Sequence, residues 1–182
     1  MESKYAFHSP SSQLIFKKLV FAFYVSLAFE KLLKMEQKNY TATFSVGRSP
    51  DEVFNCINNV SKWWTENIDG DSKNLNGVFT LDWGNGNFVT QKLIEVVKNE
   101  KVVWLVTDCY LSWLNDKTEW TNTKISFEIS VNDGKTRLDF THIGLVPEVE
   151  CYDTCVKGWD QYFKGSLYKL ITEGKGQPQP KK

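Results

Sequence analysis

The chain has no surplus of either charge: among 182 residues, 22 basic and 22 acidic side chains cancel. A nucleic-acid binder needs a basic face to neutralise phosphates. Here the lysines are scattered, and the basic pair at an end is Lys181-Lys182, so no nucleic-acid partner is expected. Histidine is scarce, with two residues, and the four cysteines (Cys56, Cys109, Cys151, Cys155) contain no CxxC pair. Zinc-ligand spacing is therefore absent, and neither a metal nor a cofactor is expected. Nor is there a phosphate-cradling loop, because Gly84-Asn85-Gly86 lies between strand patterns with no helix after it. A bilayer-spanning helix needs about 20 apolar residues, whereas the run Leu19 to Phe29 has eleven. No firm membrane association follows from it.

What is abundant is aromatic surface. Phe, Trp and Tyr make up 14% of the chain, with seven tryptophans, a load that suits a core or a lined pocket and argues against disorder. The length allows one domain with a core of its own. Residues 1–39 read as an extension ahead of it. Lys17 and Lys18 before the apolar run resemble a signal peptide, with Ser26-Leu27-Ala28 as a small-x-small cleavage site. Alternatively, Met35 is the true start, or the segment is a surface-lying helix. The expected location is cytoplasmic, or exported if residues 1–28 act as a signal.

From Tyr40 the periodicity is regular. Tyr40, Ala42, Phe44 and Val46 alternate with polar residues, which predicts a strand with one buried face. Ser49-Pro50-Asp51-Glu52 carries an N-cap, a proline at the first helical position and a capping box, opening a short helix with Val53, Phe54 and Ile57 inward. Trp63-Trp64 follow on a second short helix or turn. Strands are then predicted over 78–83, 88–97, 102–110, 124–131 and 137–143, with turns at Gly84-Asn85-Gly86-Asn87 and Asn132-Asp133-Gly134. Residues 111–119 read as a polar loop holding Trp113 and Leu114. Glu148 to Thr172 predicts a helix with apolar residues at three- and four-residue steps, ended by Gly174. Residues 174–182 read as a disordered tail. This order predicts an α+β domain over 40–173, a helix-grip arrangement in which a curved antiparallel sheet wraps a long C-terminal helix.

Ser49-Pro50-x-x-Val53-Phe54, Trp63-Trp64, Lys101–Trp104, Thr136–His142 before Gly144-Leu145-x-Pro147, and Trp159 with Ser166-Leu167 resemble the START-like, or SRPBCC, superfamily. Within it the chain is similar to the branch of the activator of heat-shock chaperone ATPase homologues, over about residues 40–175. The resemblance implies the helix-grip fold, and superfamily members range from lipid carriers to polyketide cyclases.

Trp63, Trp64, Trp83, Trp104, Trp120 and Trp159 are candidates to line a ligand cavity between sheet and helix, or to fill the core. Phe127 and Phe140 on the cleanest strands, with Tyr152 on the helix, complete the ligand-binding set. His142 shares the inward face of Leu138 and Phe140, as a candidate general base or as a structural histidine. Asp108 gains interest only if it is buried beside His142, and a dyad of His142 with Cys151 or Cys155 is the weaker alternative. Three functions are weighed, in this order: a module binding a small hydrophobic ligand, a cyclase- or dehydratase-like enzyme using His142, and a chaperone ATPase co-regulator. Binding without catalysis is preferred.

Overall fold

The computed structural model describes residues 39–181; the readings made for residues 1–38 lie outside it. Seven strands form one antiparallel sheet: β1 (Tyr40–Val46), β2 (Ile68–Gly70), β3 (Val78–Gly84), β4 (Asn87–Val97), β5 (Lys101–Tyr110), β6 (Lys124–Asn132) and β7 (Lys135–Ile143), in the order β1-β7-β6-β5-β4-β3-β2. Helix α1 (Pro50–Asn58) and a 3₁₀ turn (Val60–Lys62) join β1 to β2. Register shifts within β3–β4 and β4–β5 put extra residues into these strands, which bends them. The result is the helix-grip α+β fold.

The turn chemistry is local. Asp133 and Gly134 both adopt positive φ between β6 and β7, and Asn85 and Gly86 do so between β3 and β4, as tight hairpins require. Ser49 Oγ accepts from the Glu52 N–H at 3.2 Å, and the Ser49 N–H donates to Glu52 Oε2 at 2.8 Å, completing the capping box. β2 is the strand that pattern reading passes over. Ile68-Asp69-Gly70 is too short to show alternation, and only its pairing with β3 makes it extended.

The C-terminal helix also departs from expectation. It starts at Tyr152, four residues later than predicted, because the Glu119 carboxylate takes the N–H groups of Glu150 (2.6 Å) and Cys151 (3.0 Å) ahead of the first turn. It continues as α2 (Tyr152–Trp159), a π-helical stretch (Asp160–Leu167) and α3 (Tyr168–Glu173). In the π stretch the Tyr168 N–H reaches the Phe163 carbonyl five residues back. Gly174 then closes the helix in the left-handed region.

Residues 174–181, expected to be a disordered tail, are held instead against the body. Gln179 forms a parallel bridge with Thr65: its N–H donates to the Trp64 carbonyl and its carbonyl accepts from the Glu66 N–H, both at 2.9 Å. The Gln177 N–H donates to Ser166 Oγ at 2.6 Å. Gly176 lies so close to the Lys62 carbonyl that a Cβ would collide with it. None of these partners is visible in a Gly/Pro/Gln-rich composition.

The core lies between the sheet and the C-terminal helix and holds a connected set of aromatic rings among aliphatic side chains. Trp104 sits 4.8 Å from Phe127 and 5.2 Å from Phe79, centroid to centroid. Phe127, Phe140 and Phe163 continue the chain of rings at 5.3 and 4.8 Å. All of these are essentially fully buried. Two polar residues share this interior without hydrogen-bond partners: the Gln91 amide on β4 and Trp104 Nε1 on β5, each a desolvation cost that the surrounding packing must offset.

Candidate functional site

An apolar cleft of about 250 Å³ opens at one end of the sheet–helix interface. Trp64, just after the 3₁₀ turn, and Trp83 on β3 form one side. Leu111, Trp113 and Trp120, from the loop joining β5 to β6, form a second. Thr154, Cys155, Gly158, Trp159 and Tyr162 of the C-terminal helix form a third, and Gln179 of the tail closes the rim. Each wall is positioned by a specific local device. The 111–123 loop is tied to the helix start by the Glu119 cap and by Asn115, whose N–H and Nδ2 donate to the Glu150 carboxylate at 2.8 and 3.0 Å. The loop's own Lys117 Nζ is turned onto the Leu114 and Ser112 carbonyls, at 2.7 and 3.2 Å.

Four of the tryptophans close into a ring. Trp64 lies 6.2 Å from Trp83, Trp83 lies 6.4 Å from Trp120, Trp120 lies 6.2 Å from Trp159, and Trp159 lies 4.7 Å from Trp64. The N–H edges of two of them are tied down. Trp120 Nε1 donates to Cys151 Sγ at 3.1 Å, and Trp159 Nε1 donates to His142 Nδ1 at 3.0 Å. Trp113, half exposed, stands at the lip.

His142 is wholly buried under this ring, 4.8 Å from Trp120 and edge-on to it. Because Nδ1 accepts from Trp159, the ring proton must sit on Nε2, which donates to Thr123 Oγ1 at 3.0 Å. The Thr123 hydroxyl in turn donates a hydrogen bond to the Trp120 carbonyl at 2.6 Å. The chain Trp159–His142–Thr123–Trp120 is thus satisfied at every member. Burial pulls the His142 pKa down to about 3 and keeps it neutral. The Cys151 thiol is held protonated by its contact with Cys155 and by burial, and burial also pushes the Tyr162 phenol above its ordinary value. Every group of the site with a resolved shift is therefore held neutral. Among the described residues, no three His, Cys, Asp or Glu side chains cluster as metal ligands.

A family model for Activator of Hsp90 ATPase homolog 1-like proteins matches residues 48–172. The chain belongs to this family. No curated protein matches it. Among solved structures, the Aha1 dimer from Colwellia psychrerythraea is similar, with a TM-score of 0.61 and 22% identity, covering 76% of this chain and 98% of that one. The protein MLL2253 from Mesorhizobium loti aligns with a TM-score of 0.58 at 13% identity, covering 74% and 96%. DynU16, from the dynemicin biosynthetic locus, gives 0.55 at 14%, covering 76% of this chain and 49% of its own. At these identities the likeness is one of fold.

Of the residues singled out in the sequence, Trp64, Trp83 and Trp159 line the cleft together, joined by Trp120. Trp63, Trp104, Phe127 and Phe140 lie instead in the hydrophobic core and do not line the cleft. His142 faces inward as its period-two position implies, and its side-chain partners are Trp159 and Thr123. Tyr152 is half-buried on the helix, outside the lining. Asp108 is exposed, so it offers no acid to His142. Leu111, Trp113, Thr154, Gly158, Tyr162 and Gln179 join the site without having been singled out for it. Trp113 inside an otherwise polar loop was the available signal, since a large apolar side chain there needs a neighbour.

Proposed function

We propose that this protein is a binding module that holds a small, predominantly apolar ligand in the tryptophan-lined cleft, without catalysing a reaction on it. The observation that carries the reading is the lining itself: five tryptophans, a leucine and a tyrosine, with a threonine, a cysteine and a glutamine as its few polar groups. Ligand sites are typically apolar and aromatic with a small number of polar groups. At about 250 Å³ the cleft exceeds the roughly 150 Å³ that accommodates benzene in an engineered cavity, and it sits just below the usual drug-sized range of about 300–1,000 Å³. Against an enzyme of the cyclase or dehydratase kind stands the spent His142, both of whose nitrogens are engaged below the cleft floor. A general base needs a free lone pair within reach of the substrate.

Gly158 offers a clean test. A side chain there would meet no heavy atom within 4 Å of its Cβ, yet Gly158 lines the cleft. Gly158→Leu should therefore plug the site while keeping or raising helix stability, since glycine costs a helix about 1 kcal/mol. Titration with indole as a neutral probe should give binding to the parent protein and none to the variant, at similar melting temperatures. Equal affinity in both would sink the reading.

A further inference from the structure

The walls of the cleft say more about its guest than that it is apolar. A flat aromatic ligand is best held in a slot between two parallel faces. Here three of the four neighbouring pairs meet at steep angles, 49° for Trp64–Trp83, 84° for Trp83–Trp120 and 52° for Trp64–Trp159, and the near-parallel pair, Trp120–Trp159 at 12°, stands with its centroids only 6.2 Å apart. Such walls make a corner that encloses a compact, rounded group from several directions. The electropositive N–H edges of Trp120 and Trp159 are bound to Cys151 and His142 and so are not offered to a guest.

The electrostatics agree. No lysine, arginine or histidine lines the cleft. The positive end of the C-terminal helix, whose first turns contribute Thr154 and Cys155, would repel a cation, but the Glu119 carboxylate sits on its N–H groups and offsets it. Lys117, the cation of the neighbouring loop, spends its ammonium on that loop's carbonyls. A concave set of indole faces without competing positive charge is the chemistry that recognises methylated ammonium groups, each ring adding a cation–π attraction on top of methyl contact.

Building on the binding role above, we propose that the ligand presents a compact methylated ammonium head, of the trimethylammonium class, to the tryptophan ring, with Trp113 closing over it. The deciding experiment compares choline with its neutral isostere 3,3-dimethyl-1-butanol by isothermal titration calorimetry, with indole as the control. The expected result is a preference of about tenfold or more for choline, reflecting at least one cation–π contact of about 1.4 kcal/mol. Trp113, half exposed, can be replaced without emptying the core; Trp113→Ala should lower choline affinity several-fold more than isostere affinity, and Trp113→Phe should restore part of it. Equal affinity for choline and the isostere, or binding of indole alone, overturns the cationic head and leaves the apolar binding role standing. Absence of binding by all three probes to the folded protein overturns both.

Discussion

Two regions of this protein use the same residue type for opposite ends. In the interior, Trp63 and Trp104 are fully buried and packed against Phe127 and Phe79. At the end of the same interface, Trp83, Trp113 and Trp120 stand against Trp64 and Trp159 around an open cleft. The difference is not one of hydrophobicity but of what lies across from each ring. The interior tryptophans meet one another and the rings of Trp64, Phe79 and Phe127, so each has aromatic partners. The cleft tryptophans face a loop, a single glycine at position 158 and the tail, which leave a gap. Trp64 and Trp159 belong to both regions and couple core to site.

The sharpest way to break this contrast is Trp104→Ala. If Trp104 is purely core, the change should cost about 3–5 kcal/mol, as large-to-small substitutions of buried aromatics do, with probe affinity unchanged in protein that remains folded; chemical denaturation and calorimetry read the two quantities. A loss of affinity larger than the loss of stability would erase the distinction.

Next in size is the pH dependence of His142, the joint between the regions. Its folded pKa of about 3 lies below the unfolded value of about 6.5. The unfolded chain therefore takes up the proton first as pH falls. Stability from this group is complete above pH 6.5 and drains away between about 6.5 and 3, at no more than about 1.4 kcal/mol per pH unit. Urea melts across that window should show the slope, and His142→Gln should lack this component while being less stable at pH 7.5. An unchanged slope in the variant would mean that the imidazole is not held neutral by the fold.

The smallest effect concerns the tail. Truncation after Glu173 removes the Gln179 bridge to Thr65 and the Gln177 bond to Ser166. It should cost about 1–2 kcal/mol, in line with the net worth of a few hydrogen bonds, and should widen the mouth of the cleft. Faster probe release with modest loss of stability is the expected outcome; a collapse of the fold would make the tail part of the core.

Much of the architecture was legible because it is written in local signals. The Ser49–Glu52 capping box, the positive-φ turns at Asn85-Gly86 and Asp133-Gly134, and the period-two stretches of β6 and β7 all appear where their residues require. The site was less legible. Trp63 and Trp64 are adjacent and look equivalent, yet Trp63 Nε1 is bound to the Ile57 carbonyl inside the protein, while Trp64 reaches the cleft. Their fates differ through neighbours distant in the chain, Trp104 and Phe127 for Trp63, Trp83 and Trp159 for Trp64. β2 and the tail fall under the same rule, since neither has a pattern of its own and both are held by partner segments.

The order of elements apart from β2, the antiparallel hairpins, the inward face of His142 and the aromatic character of the interior follow from the sequence alone, because backbone sterics, capping and periodicity act over a few residues. The location of the cleft, the tautomer of His142, the delayed start of the final helix and the anchoring of residues 174–181 were decided only in three dimensions. Each of these depends on which distant group occupies the space opposite, and packing is a property of pairs that no single stretch of chain contains.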